Sequence, residues 1–328
     1  MKILVSGGAG YIGSTVCSAL EDAGHTPVIL DNLSTGCEDF TRGRIFYKCD
    51  IADGEGVKKI FSDHPDIFAV IHCAALIIVP DSVSDPYSYY LENVSKSVEF
   101  FKSLNACGCK RILFSSSASV YDNVEGFSVD ETAPVKPLSP YARTKLMIEM
   151  ILEDYCRAYG VKGISLRYFN PIGADPQMRS GPFIKNATHI LAKMVSVGAG
   201  EGEFTITGTD WNTRDGSGLR DYIHIWDLAR AHVMAVERFD HAAETGSGGY
   251  LVINIGSGSG TTVKELVAAF ERVSGRTLPK REAPARPGDV AGAYADTARA
   301  LELLGWKAEK GVDEAIADAL EWNRRFFN

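Results

Sequence analysis

The sequence predicts an α/β chain built on a doubly wound parallel sheet, with a smaller C-terminal lobe. Short apolar, strand-like runs alternate with helical stretches through the first half of the chain, the pattern of βαβ units. A glycine-rich turn joins the first of these runs to the first helical stretch. The alternation stops after Asn170-Pro171, where loops take over.

Lys2 to Ser6 read as the first strand, which runs into Gly7-Gly8-Ala9-Gly10-Tyr11-Ile12-Gly13. Glycines at 7, 10 and 13 permit a tight turn and close backbone approach to a pyrophosphate, with a helix over about 11–23 aimed at the anion. A second strand over 27–31 ends at Asp31, 18 residues past Gly13. That is near the separation expected for a carboxylate on the adenosine ribose 2′-hydroxyl. An acid there repels a 2′-phosphate, and no arginine follows until Arg42, so NAD is expected rather than NADP. Strands over 45–49, 67–73, 110–116 and 161–169 and helices near 53–62, 86–106 and 140–159 continue the alternation. Residues 1–170 are therefore expected to form an NAD-binding Rossmann domain. Beyond it come loops at 198–203 and 208–218, a helix near 227–238, a strand at 250–256 and a basic, proline-rich stretch at 278–288. Residues 171–328 are expected to form the substrate lobe, with segments near 222–238 and 250–256 returning to the sheet.

Composition narrows the function. The chain is 45% hydrophobic and 23% charged, as ordinary globular proteins are. A formal charge of −8 without a basic stripe argues against nucleic acid, so an anionic substrate must be held by a few placed arginines. No apolar run approaches the roughly 20 residues that span a bilayer, and Met1 leads almost directly into a strand; neither a membrane segment nor a signal peptide is expected. The seven cysteines lack a C-x-x-C pair and the seven histidines lack metal-ligand spacing. Reduced thiols in a cytoplasmic protein, and no metal, are expected. The helices over 86–106 and 140–159 are apolar on more than one face, so a homodimer through them is expected.

Of the thirteen tyrosines only Tyr141 has a lysine four residues on, Lys145. On a helix that spacing shares one face. An ammonium there favours the phenolate and can bring a phenol of pKa about 10 toward neutrality, making it an acceptor for a sugar hydroxyl proton. Ser115-Ser116-Ser117 end the fifth strand, at the carboxyl edge where open α/β sheets bind ligands.

Together these features resemble the extended short-chain dehydrogenase/reductase family, and within it the UDP-glucose (UDP-galactose) 4-epimerases, from end to end. The resemblance rests on GGAGYIG, Asp31-Asn32, Asp50-Ile51, the Ala74-Ala75 turn, FSSSASVY, SPYARTK, the run Arg167 to Pro171 and GLRDYIH at 218–224. It implies that NAD oxidises the sugar at C4, the 4-keto sugar rotates about its link to the diphosphate, and the hydride returns to the other face. Motif by motif, it implies that Ser117, Tyr141 and Lys145 are catalytic. It implies NAD binding by Gly7, Gly10, Tyr11, Ile12, Gly13, Asp31, Asn32, Leu33, Ser34, Asp50, Ile51, Cys73, Ala74, Ala75, Asn93, Ser115, Tyr168 and Phe169, with Tyr141 and Lys145. Substrate contacts are implied for Ser117, Tyr141, Asn170, Asn186, Thr205, Arg220, Arg286, Asp289 and Ala293. Among the three serines, alignment on the following Ala-x-Val-Tyr selects the third. The related dehydratases carry an Asp-Glu pair at this strand end, and serines and an alanine stand here, so elimination is not expected. His224 is expected to be structural.

Two departures bear on substrate and cofactor. Ile77 replaces a lysine that many members carry, removing one positive contact near the phosphates. Ala293 stands where a bulky tyrosine often walls the sugar C2 substituent, which implies room for UDP-GlcNAc and UDP-GalNAc as well. The rival readings are a 4-epimerase of UDP-glucuronate or a UDP-pentose, and a non-catalytic NAD-sensing Rossmann protein. A sensor has no need of Ser117, Tyr141 and Lys145 together.

Overall fold

The structure, a computed structural model, describes residues 1–122, 124–183, 189–285 and 290–327. Its main sheet has seven strands: β1 (Lys2–Ser6), β2 (Thr26–Asp31), β3 (Ile45–Lys48), β4 (Ile67–His72), β5 (Arg111–Ser115), β6 (Lys162–Tyr168) and β7 (Tyr250–Ile255). They run in the order β7, β6, β5, β4, β1, β2, β3, and every pairing is parallel. The order reverses between β1 and β4, and the crevice beyond the carboxyl ends there is where such sheets bind ligands.

Alternation along each strand divides the core into two layers. Ile3, Val5 and Ile29 face one side, with Val16 and Leu20 of α1 (Tyr11–Asp22) and Leu228 and Val236 of a returning helix. Leu4, Val28, Leu30 and Val70 face the other side, against α2 (Gly54–Asp63), α3 (Lys96–Ala106) and α4 (Pro140–Tyr159). That returning helix is α5 (Ile225–Glu237), which follows the strand Tyr222–His224. Because both faces are covered, the strands are continuous apolar runs.

Local signals place the ends of α4. Ser139 caps it by accepting the Ala142 amide, Pro140 occupies its first turn, and Gly160 ends it at φ +62°. The stretch expected as one helix over 86–106 is broken in character. A short helix, Pro86–Tyr89, passes into a π-helical turn, Tyr90–Ser95, before α3 begins. Such turns often mark functional positions, and this one carries Asn93.

Past residue 170 the chain builds a third core from Ile172, Leu191, Met194, Leu266, Phe270 and Ile316. Short strands pair with one another outside the main sheet: Asn170–Ile172, just past β6, with Tyr222–His224, and Leu219–Arg220 with Gly292–Ala295. Among the described residues no helix is long and apolar enough to cross a membrane, and no cluster of three His, Cys, Asp or Glu could hold a metal.

Candidate active site

The glycine turn forms a cradle that side chains would fill. A Cβ on Gly13 would lie 2.1 Å from the Gly7 carbonyl oxygen, and one on Gly7 (φ +74°) 2.6 Å from the Ala74 amide nitrogen. Gly10 heads α1 without a side-chain cap, and no acidic residue sits in the first turn. The helix amides and positive dipole end are thus left for an anion. Behind them Ile12 packs on the core, and the Tyr11 hydroxyl donates to the Gly173 carbonyl at 2.7 Å.

The end of β2 gathers the polar residues expected at the adenosine. Asp31 accepts the amides of Ala9 (3.0 Å) and Leu33 (2.8 Å). Burial pushes its carboxyl above the usual range, and those two amides work against the rise. Asn32 accepts the Ser34 amide and donates to Asp50, which also receives Lys96 at 2.7 Å. Burial works to raise the Asp50 carboxyl, and the bonds from Lys96, Ala52 and Asn32 outweigh it, holding the group below its usual range. Ile51 beside it is buried in the core. A cradle closed to side chains, an open helix N-terminus and an acid at the end of the next strand fit a dinucleotide.

Cys73, Ala74 and Ala75 follow β4 and line the cradle's far side. Asn93 is buried with its amide spent on the protein: it accepts from Leu76 N (2.8 Å) and donates to Leu76 O (3.0 Å) and Thr144 Oγ1 (3.1 Å). It therefore clamps this turn to α4. Ser115 likewise turns its hydroxyl inward, to His232 Nε2 at 2.9 Å and Cys73 Sγ at 3.1 Å. What it offers the site is its carbonyl oxygen.

Of the three serines, geometry leaves the third. Ser116 donates to Glu149, whereas the Ser117 hydroxyl lies within hydrogen-bonding reach of the Tyr141 phenol. Lys145 is 1% exposed; its Nζ donates to the Ser115 carbonyl at 2.8 Å and lies 5.9 Å from the Tyr141 ring centroid. The expected drop of the phenol toward neutrality is not met in this arrangement. Burial pushes the Tyr141 phenol up to about 12, and the Ser117 hydroxyl opposes the rise. The ammonium, held on a strand carbonyl, does not offset that desolvation. Burial also brings Lys145 down to about 8, against the pull of Cys73 and Glu149.

The neighbouring wall is apolar. Tyr168 ends β6 in the main core, and Phe169 joins Val120, Tyr121 and Ala295, with Ala118 and Ala293 packed alongside. Asn170 donates both its amides to the Asp221 carbonyl at 3.0 Å. Arg220 stands opposite Ala293 in register, and its guanidinium donates to the carbonyls of Leu219 (2.7 Å), Val290 (3.1 Å) and Ala291 (3.1 Å). Adjacent strand residues face opposite ways, so Tyr294 points away from the side that Ala293 shares with Phe169. Thr205 belongs to a separate two-stranded sheet, opposite Arg281. Asn186, Arg286 and Asp289 lie outside the described residues.

His224 is a structural residue: it caps α5 by accepting the Trp226 amide and bonds Asp318 at 3.1 Å. Sequence reasoning missed Asp221, whose buried carboxylate collects the Ser257, Gly258 and Ala295 amides and the Ser257 hydroxyl. It ties the Arg220 strand to the loop after β7. The signal lay in Arg220-Asp221-Tyr222, an acid inside an otherwise buried run.

Residues 3–256 match the NAD dependent epimerase/dehydratase family. The chain is 42% identical over 334 residues to a UDP-glucose 4-epimerase of Bacillus subtilis, covering 98% of this chain and 96% of that protein. Its structure is similar to a UDP-glucose 4-epimerase from Stenotrophomonas maltophila solved with bound NAD and formylated UDP-arabinopyranose, with TM-score 0.93, 37% identity, and 99% and 98% of the two chains covered. It is also similar to the UDP-Glc/GlcNAc 4-epimerase of Campylobacter jejuni, with TM-score 0.83, 32% identity and 99% of each chain covered.

Proposed function

This chain belongs to the NAD dependent epimerase/dehydratase family, and we propose that it interconverts UDP-glucose and UDP-galactose by reversible oxidation at C4. The observation that carries the reading is the convergence of Ser117, Tyr141 and Lys145 at the end of β5, beside a cradle shaped for a dinucleotide. NAD, when bound, supplies the hydride acceptor and donor. It would be held by the amides at the start of α1, by Asp31 with Asn32, Leu33 and Ser34, by the Cys73–Ala75 turn and by Lys145.

Within the protein Tyr141 exchanges the C4 hydroxyl proton, Ser117 holds O4, and Lys145 supplies fixed positive charge behind them. Burial pushes the phenol up to about 12, so the charge of Lys145 has to work against desolvation for Tyr141 to serve as the base. Arg220 and Arg286 hold the diphosphate with Asn170 beside them, Asn186 takes the sugar side and Asp289 the ribose, and the lobe beyond residue 170 serves as the UDP-sugar-binding part.

Ala293 leaves the C2 side of the sugar open, so UDP-GlcNAc and UDP-GalNAc are accepted too. Exposed Tyr87 on the short helix Pro86–Tyr89, Leu91 in the π-helical turn, and Met147 and Met150 on α4 suit a homodimer interface. Seven free cysteines suit a reducing, cytoplasmic setting. Purified protein assayed without added NAD should convert UDP-glucose and UDP-GlcNAc and leave UDP-glucuronate unchanged. Turnover of UDP-glucuronate alone would overturn the hexose assignment.

A further inference from the structure

We propose that Glu149 is a positioning residue for the catalytic pair, fixing the end of β5 against α4 and holding Lys145 in its charged form. The inference rests on the 4-epimerase reading and deepens it. Tyr141, Lys145 and Glu149 are spaced four residues apart along α4, so they form one stripe of that helix. Glu149 is 3% exposed. Its carboxylate accepts Ser116 Oγ (2.5 Å), Arg167 Nε (3.0 Å) and Arg167 Nη2 (2.7 Å). A carboxylate so buried persists only when it is paired and hydrogen-bonded. Here the partners come from two different strands.

The position of Ser116 makes the grip specific. It stands between Ser115, whose carbonyl receives Lys145, and Ser117, which faces Tyr141. Three successive residues of one strand end are thus tied to three successive turns of one helix. Arg167 extends the brace: its guanidinium lies 4.9 Å from the Tyr121 ring centroid, and the Tyr121 hydroxyl donates to Asn254 on β7 at 2.7 Å. The distance between proton acceptor and O4 holder is therefore set from behind, by groups that never touch the sugar.

The same carboxylate acts on the lysine. Lys145 meets a neutral carbonyl and two aromatic rings. The titratable groups around it are His72 of β4 and Cys73 just after it, Tyr168 and Arg167 of β6, Tyr141 and Glu149 of its own helix, and Tyr89 beside Tyr141. Burial holds His72 neutral, at about 3, and pushes the Cys73 thiol up to about 11. It raises Tyr141, Tyr168 and Tyr89 as well. None of these five carries charge near neutrality, and the ion pair on this side of the lysine is Glu149 with Arg167, at 2.7 Å. Without the Glu149 carboxylate the lysine loses its proton at lower pH, and Tyr141 loses the charge that favours its phenolate.

The test is the pH profile of Glu149→Gln, which keeps size and an acceptor oxygen but removes the charge. Between about pH 6 and about pH 9 the alkaline limb of kcat should move down by about one unit, while UDP affinity by calorimetry stays at the wild-type value. Superposable limbs with a uniform loss at every pH would overturn the proposal, because a merely structural defect does not depend on pH. Ser116→Ala covers the case of a Gln variant that fails to fold. It leaves the Glu149–Arg167 pair intact and should lower kcat about tenfold with KM unchanged; wild-type kcat would contradict the positioning role. Wild-type protein inactive on every UDP-sugar would instead defeat the epimerase reading itself.

Discussion

Replacing Lys145 by methionine should trade activity for stability. The lysine is fully enclosed, and burial lowers its pKa from 10.5 to about 8. At about 1.4 kcal/mol per pH unit, that drop corresponds to about 3 kcal/mol. The sign follows from proton counting. Above the unfolded value the amine is neutral in both states and folding carries no penalty. As pH falls from about 10.5 to about 8 the unfolded chain takes up the proton first, and stability is lost; below about 8 the whole penalty is present. Methionine has nearly the same volume and no charge, so the variant avoids this penalty at neutral pH. Urea unfolding of NAD-free protein should therefore show Lys145→Met more stable than wild type by up to about 3 kcal/mol at pH 7, with the gap closing as pH rises toward 10.5. The difference between the two proteins isolates this group from other residues titrating in the same window. Epimerase activity should be nearly abolished. A variant less stable than wild type at pH 7, or a gap independent of pH, would refute the buried-ammonium argument.

Other perturbations probe separate parts of the site. Arg220→Ala should weaken UDP binding by about 1.5–3 kcal/mol, the scale of a lost charged hydrogen bond, measured by calorimetry; unchanged affinity would place the diphosphate elsewhere. Ala293→Tyr should lower kcat/KM for UDP-GlcNAc while sparing UDP-glucose, since a clash sets this discrimination; an unchanged ratio would remove Ala293 as the gate. Phe40, on the turn that follows the Asp31–Ser34 segment, packs among Phe183, Trp322 and Phe326. Phe40→Ala should therefore release NAD faster in a dilution assay, and unaltered retention would show that this aromatic cluster does not hold the cofactor loop.

The Rossmann half was legible because its information is local. Strands buried on both faces are apolar runs, the cradle needs glycines, and Ser139, Pro140 and Gly160 mark both ends of α4. That Ser117, Tyr141 and Lys145 come together was legible for the same reason, from a helical spacing and a strand end. What stayed hidden depends on contacts distant in sequence. Asn93 and Ser115 match the family pattern, yet their polar side-chain atoms bond Leu76 and Thr144 in one case and His232 and Cys73 in the other. Glu149 reads as one more polar residue of α4 until Arg167 and Ser116 arrive from two strands. The pKa of Tyr141 also escapes sequence reasoning, because desolvation depends on what encloses the ring. The helices Val263–Ser274 and Val312–Phe326 lie beyond the alternation that identifies the first half, although Thr262 and Glu265 spell a capping box.

The central claim is that Tyr141 exchanges the C4 hydroxyl proton during NAD-dependent epimerisation, and Tyr141→Phe tests it most directly because it removes a single oxygen atom. The measurement is kcat for UDP-galactose to UDP-glucose conversion, alongside NAD content and UDP affinity of the same preparation. The account predicts unchanged NAD content and UDP binding, with kcat lower by about 10²–10⁴-fold; near wild-type turnover would contradict it.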